Sequence, residues 1–268
     1  MTQPREKIAD AHAHIFPHKI ADKAVSSIGD FYSIPMEHEG YAHSLLESGG
    51  KIGVSKYLVC STATHPGQVV SINNFIQEKC LQHPEFLGFA TLHPDFPDLE
   101  AEVERILGLG LRGVKLHPDF QKFDIDDPRA LPMYRLLAQA GLPILFHTGD
   151  DRYDYSAPRR LRSVLDQVPG LTCIAAHFGG YRRWAESREC LRHPGVWFDT
   201  SSSLFALPVD EAMEMMESFG FDRFLFGSDF PMWDHQEELE RFNRLPLAPR
   251  QREMILSGNF KRLFGVEF

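Results

Sequence analysis

The chain has 268 residues, 43% of them hydrophobic and 24% charged, which is enough apolar material for one large domain or two smaller ones and argues against disorder. A formal net charge of -9 argues against nucleic acid gripped through a basic face, so the expected partner is a small-molecule substrate. No apolar run reaches the ~18 residues that cross a bilayer, and the N-terminal MTQPREKIADAHAH lacks an export signal's apolar core. A cytoplasmic protein with no membrane partner is therefore expected.

In chain order, short apolar runs suited to strands alternate with longer amphipathic stretches, the pattern of βα units and a parallel sheet. Eight runs are predicted as strands: KIADAHAH near 7–14, KYLVCST near 56–62, FLGFATLH near 86–93, LRGVKLH near 111–117, then LPILFHT, LTCIAAH, GVWFDTS and DRFLFGSD, which end at Thr148, His177, Ser201 and Asp229. Helices are predicted between them, among others over Leu99 to Leu109, Pro128 to Ala140, Pro158 to Val168 and Pro208 to Phe219. Gly141, Pro143, Gly170 and Gly195 stand where helices hand over to strands. No linker divides the chain, so one α/β domain over 1–268, a TIM (β/α)8 barrel, is preferred to two domains. The pentapeptide LHPDF occurs at Leu92 to Phe96 and again at Leu116 to Phe120, a weak echo about one βα unit apart. Cys60, Cys80, Cys173 and Cys190 have neither CxxC spacing nor disulfide density and read as reduced thiols, with Cys60 and Cys173 buried in strands.

The polar residues in these strands carry the functional signal. Strands covered on both faces should be almost wholly apolar, yet His14, His93, His117, His147, His177 and Asp229 each close one. Carboxyl ends of barrel strands share one rim, where active sites of that fold lie. Alternation puts Asp10, His12 and His14 on one side of the first strand and Ala9, Ala11 and Ala13 on the other, an arrangement that suits small residues packing outward and two imidazoles facing a metal. His147 and His177 follow runs too apolar to be exposed, and each alone reads equally well as a buried structural histidine. Asp229 follows Phe224, Leu225 and Phe226, where a carboxylate costs heavily unless it meets a cation or several donors. Lys115 shares the parity of His117.

The ordered motifs AHAHIF, GVKLHP, FHTG, AHFGG and FGSDFP, with the closing ILSGNFKRLFG, resemble the amidohydrolase superfamily over nearly the whole chain, in particular its branch of TIM-barrel metal-dependent hydrolases that includes amino-carboxymuconate-semialdehyde decarboxylase. The resemblance implies that His12, His14, His147 and Asp229 hold a divalent metal, zinc before manganese or iron, and that His177 assists catalysis or binds a second ion. Imidazole and carboxylate are the ordinary ligands of catalytic zinc, which keeps a position open and ionises bound water near neutral pH. The expected activity is hydrolysis of an ester, lactone or amide of a small, carboxylate-bearing substrate, with Asp229 and His177 as catalytic groups. The alternatives are a non-oxidative decarboxylase of an unsaturated or aromatic acid and, third, a non-enzymatic metal-binding barrel. Lys115 and His117 are expected to contact substrate, carboxylation of Lys115 being the lesser alternative; Arg152, Arg159, Arg182 and Arg183 are candidates to meet a substrate carboxylate. Homo-oligomerisation is left open.

Overall fold

The computed structural model describes residues 6–268; residues 1–5, which open the polar N-terminus and the expected 1–268 domain, lie outside the described residues. The strands are β1 (Ile8–His14), β2 (Val54–Cys60), β3 (Phe86–Gly88), β4 (Ala90–Thr91), β5 (Val114–Leu116), β6 (Ile144–Phe146), β7 (Cys173–Ala175), β8 (Val196–Asp199) and β9 (Phe224–Leu225). β3 and β4 are halves of the predicted third strand, parted at Phe89, so eight strand positions stand where eight were predicted. Most are shorter than predicted, and β2 begins and ends two residues early. The last predicted strand opens instead as a short 3-10 turn, Phe221–Arg223. The predicted helices appear as Leu99–Gly108, Leu131–Gln139, Pro158–Gln167 and Val209–Phe219.

The chain forms two compact units, one built from the segment up to Val59 with Thr200–Phe268, the other from Cys60–Asp199. In the second unit β4 to β8 pair in parallel in chain order, with Lys115 opposite Thr91 and Leu145, and Ile174 opposite Leu145 and Trp197. Register partners in a parallel ladder share a face, so Thr91, Lys115, Leu145, Ile174 and Trp197 line one side and Val114, Leu116, Ile144, Phe146, Cys173 and Ala175 the other. Every residue of β5, β6 and β7 is buried, which is why β6 and β7 read as apolar runs without alternation, while β5 carries one buried charge, Lys115. The helix Leu99–Gly108 starts where the Asp98 carboxylate accepts from the Ala101 N–H at 3.0 Å.

In the first unit β1 is buried along nearly its whole length, and Ala9, Ala11 and Ala13 are almost completely covered. β1 is tied to the segment after β9 by backbone bonds from Ala11 to Phe226 (2.8 Å), from Asp229 to His12 (2.8 Å) and from His14 to Phe230 (2.7 Å). The helix Ala42–Ile52 buries Ser48 and Gly49. A β-carbon on Gly49 would stand 2.2 Å from the Tyr57 hydroxyl, so glycine is what lets β2 pack this closely. Among the described residues no helix is long and apolar enough to cross a membrane. Cys60 and Cys173 are buried in the expected strand positions and take part in no disulfide among the described residues.

Candidate functional site

In the first unit, β1 and the loop after β9 bring three of the expected ligands together. His12 Nε2 and His14 Nε2 lie 3.2 Å apart, and Asp229 Oδ1 lies 3.4 Å from the first and 3.3 Å from the second. Three lone-pair atoms gathered this tightly repel one another unless a proton or cation sits among them. The edge of a tetrahedron with ligands at about 2.0–2.1 Å from zinc is about 3.3–3.4 Å, so the triangle has the size of one face of a zinc coordination shell. Donor types and spacing both fit a divalent ion.

The side chains are held from behind. His12 is fully buried, and its Nδ1 meets the Ser201 hydroxyl at 3.2 Å; an Nδ1–H donated there leaves the lone pair on Nε2, facing the triangle. The second oxygen of Asp229 accepts from Ser202 Oγ at 2.6 Å, and that hydroxyl accepts from Trp233 Nε1 at 2.9 Å. The Trp233 bond thus leaves the Ser202 hydrogen for the carboxylate. Asp229 (φ 59°) and Ser202 (φ 45°) both occupy the left-handed region, which non-glycine residues enter at a cost that sites of chemistry commonly carry. The loop turns this way to aim the carboxylate back at β1.

The second unit gathers His117, His147 and His177 just beyond β5, β6 and β7. Nδ1 of His147 faces Nε2 of His177 at 3.0 Å, a separation that suits a hydrogen bond or two atoms sharing one ion. His177 also lies in the left-handed region (φ 62°); its N–H donates to Asp199 Oδ1 at 3.0 Å and its carbonyl accepts from Trp184 Nε1 at 3.0 Å. The His117 ring is stacked on Phe120 at 3.7 Å and on His147 at 4.0 Å, the two imidazoles within 6° of parallel. His117 thus lies inside a stacked platform with both faces covered, and His117, Asp119 and His147 each bring one possible ligand atom within 4.8 Å of the others. The expected parity holds in part: Lys115 is completely buried on the Leu145 face of the sheet, whereas His117 lies beyond the strand and heads the short helix Pro118–Gln121.

Asp119, which the sequence reading did not single out, lies beside this platform. It is buried, accepts from Ser156 Oγ at 2.5 Å through one oxygen, which lies 3.8 Å from His147 Nε2, and its other oxygen has no hydrogen-bond partner among the described residues. Burial pushes its carboxyl up to about 6, against the Ser156 hydrogen bond and with the negative charge of Asp150 adding to the rise. The LHPDF repeat was the available signal: both copies make the same turn, Phe96 to His93 at 2.9 Å and Phe120 to His117 at 3.0 Å, yet only the second buries its aspartate. Asp10, Ser202, Trp233 and His235 were also missed as functional groups; only Asp10 had a visible sign, its parity with His12.

Three of the four arginine candidates are held by carboxylates of their own unit. Arg152 grips Asp150 at 2.9 and 2.7 Å, Arg159 binds Asp154 and Glu186, and Arg183 binds Asp154 at 3.1 Å and Glu186 at 2.6 Å, while Arg182 lies over the Tyr181 ring at 5.5 Å.

The amidohydrolase family model matches residues 9–266. The chain is similar to an uncharacterised TIM-barrel protein from Bordetella bronchiseptica (21% identity, 97% of this chain and 98% of that one, TM-score 0.77). It is also similar to a dihydroxybenzoic acid decarboxylase from Polaromonas holding manganese and 2-nitroresorcinol (15%, 97% of each chain, TM-score 0.75). A candidate 2-pyrone-4,6-dicarboxylic acid hydrolase from Pseudomonas putida matches at 18% identity over 99% of this chain and 100% of that one, with a TM-score of 0.71. The fold is thus the expected TIM barrel, and the chain belongs to the amidohydrolase family as a metal-dependent enzyme of that superfamily.

Proposed function

We propose that this protein is a metal-dependent, non-oxidative decarboxylase of a small aromatic or unsaturated carboxylic acid. The observation that carries the metal reading is the triangle of His12, His14 and Asp229, with edges of 3.2 to 3.4 Å. The choice of reaction is supported by the similar structures, among which decarboxylases of aromatic acids recur. Hydrolysis, the activity first expected, is the second reading, favoured by the Pseudomonas putida relative.

In this reading His147 completes the ligand set of His12, His14 and Asp229. The ion, with zinc proposed from the imidazole-rich set, supplies a Lewis acid for the substrate's oxygens. The bond from the substrate carbon to its carboxylate breaks, carbon dioxide leaves, and the electron pair left on carbon takes up a proton. His177 and Asp229 are the acid and base groups assigned to that proton. His177 can hold it in the bond to His147, and its backbone is anchored at both N–H and carbonyl, so the ring is presented in a fixed position. Lys115 and His117 are assigned to the substrate, the first as a buried cation for an anionic group and the second through its ring edge, both of its faces being covered by Phe120 and His147. A single catalytic domain over 1–268 in the cytoplasm, with no nucleic-acid or membrane partner, completes the reading.

Turnover of a panel of hydroxybenzoates, lactones and esters in deuterated, ¹⁸O-labelled water separates the two reactions. Decarboxylation releases one carbon dioxide per product, with deuterium on the former carboxyl carbon. Label in a product carboxylate without carbon dioxide would overturn it in favour of hydrolysis.

A further inference from the structure

Beneath the three ligands of the first unit lies a second carboxylate, Asp10, completely buried and facing no solvent. Its Oδ1 accepts two backbone N–H groups, from His12 at 3.0 Å and from Ser228 at 2.9 Å. Its Oδ2 accepts from Ser228 Oγ at 2.6 Å and meets His235 Nε2 at 3.0 Å. One carboxylate therefore ties the backbone of a ligand on β1 to the residue preceding Asp229, the ligand on the loop after β9. The two segments that form the triangle, already joined by backbone bonds such as Asp229 N–H to the His12 carbonyl at 2.8 Å, share this side-chain clasp as well.

His235 closes the clasp from the outside. It is fully buried at the first turn of the helix His235–Phe242, and its Nδ1 lies 2.8 Å from Ser48 Oγ. The Ser48 hydroxyl has one hydrogen, and its neighbour Asp234 Oδ2, 3.1 Å away, can only accept it. Ser48 Oγ therefore sits between Asp234 Oδ2 and His235 Nδ1, and it accepts from the His235 backbone N–H at 3.3 Å. Whichever way the Ser48 hydrogen points, Nε2 of His235 is the nitrogen that donates to the Asp10 carboxylate, which can only accept. Asp234 is fixed in turn, accepting from the Gln236 N–H at 2.7 Å and meeting His38 Nε2 at 3.3 Å. A buried polar chain thus runs from Asp234 through Ser48 and His235 to Asp10.

We propose that Asp10 and His235 are positioning residues for the metal ion, setting the spacing between the β1 histidines and Asp229 without touching the ion or the substrate. This inference rests on the metal reading of His12, His14 and Asp229. An ion whose ligand atoms must stand 3.2 to 3.4 Å apart is sensitive to small shifts between the two segments, and outer-shell partners of metal ligands typically alter affinity by about 10–100-fold. Leucine at 235 would leave the Asp10 carboxylate one donor short, in a place no solvent reaches.

The test is equilibrium binding of cobalt(II) alone to the metal-free full chain, with its visible absorption recorded as a signature of ligand geometry. His235→Leu is expected to weaken cobalt binding by about 10–100-fold and to change the absorption bands, with the far-ultraviolet circular dichroism unchanged. His235→Gln, whose amide can still donate to Asp10, is expected to recover most of both. Wild-type affinity and spectrum in a folded His235→Leu variant would overturn the proposal, as would equal losses in His235→Leu and His235→Gln. If His235→Leu does not fold, Ser48→Ala, which removes only the hydroxyl behind His235, decides on the same two readouts: a weaker, spectrally altered site supports the clasp and an unchanged one overturns it. The His12→Ala/His14→Ala double variant separates the two levels. Should it bind cobalt like wild type, the metal reading itself fails, whereas loss of binding there with no effect at 235 or 48 rejects only the clasp.

Discussion

Asp229 and Glu238 illustrate two ways in which a buried carboxylate is accommodated in the same unit. Asp229 accepts from a serine hydroxyl and shares the place for a cation with two imidazole nitrogens, which together meet its charge. Removing the Ser202 hydroxyl frees the carboxylate to rotate and leaves Trp233 Nε1 without its acceptor. Ser202→Ala is expected to weaken metal binding by about 10–100-fold, read by equilibrium dialysis; unchanged affinity would show that Asp229 is held by its backbone alone. Glu238 is fully buried and paired with Arg241, which lies over Trp233 at 4.3 Å, yet burial outweighs that partner and pushes its carboxyl up to about 8. For an acid held above its unfolded value, the unfolded chain gives up its proton first as pH rises. Stability is therefore lost between the ordinary glutamate range near 4.5 and about 8, and is flat above. Glu238→Gln is expected to melt higher than wild type by a margin that grows from about pH 5 to about pH 8. A margin that shrinks over that interval would mean the Arg241 ion pair dominates.

At the scale of single elements, the turns after the strands do more than the strands themselves. β6 and β7 are three residues each, and the histidines stand on the turns just past their carboxyl ends. Gly149, two residues past His147, has φ 81°, and a β-carbon there would stand 2.6 Å from the carbon of Gly180 and from the nitrogen of Tyr181. Neither backbone atom can yield as a flexible side chain would. Gly149→Ala is thus expected to cost well over the ~1 kcal/mol of an ordinary Gly→Ala strain, lowering the melting temperature by several degrees. It should also disturb the 3.0 Å contact between His147 and His177, visible as shifted imidazole resonances. Melting and imidazole spectra like those of wild type would remove the close-approach explanation for the glycines of FHTG and AHFGG.

For the whole molecule, the clearest handle is linkage. An ion that binds only the folded state raises stability by RT ln(1 + [metal]/Kd), about 2.7 kcal/mol at a hundredfold excess over Kd. Divalent metal added to chelator-treated protein is expected to raise the melting temperature in wild type and not in the His12→Ala/His14→Ala double variant. Equal rises in both would place the stabilising ion elsewhere. If the chain is one cooperative domain, as proposed, calorimetry shows a single transition with and without metal; two transitions would divide the chain into separately melting parts.

The sequence by itself determined the element order, because period and burial leave direct marks: fully buried parallel strands read as apolar runs, glycine and proline marked the handovers, and a histidine or aspartate after such a run was conspicuous. It determined the pairing of His12 with His14, since alternation along β1 fixes which side chains share a face. It did not show that His117 and His147 stack, because the chain leaves the strand before either residue and parity no longer applies. Nor could it show Ser202 and Trp233 behind Asp229, or Asp10 bound to His235, 225 residues away. Serine, tryptophan and a histidine at a helix start have many ordinary reasons to occur, and no local period links them. Only the tertiary structure decided these contacts, because a hydrogen bond depends on where two distant segments place their atoms to within a few tenths of an ångström, and that placement is set by the packing of the whole first unit.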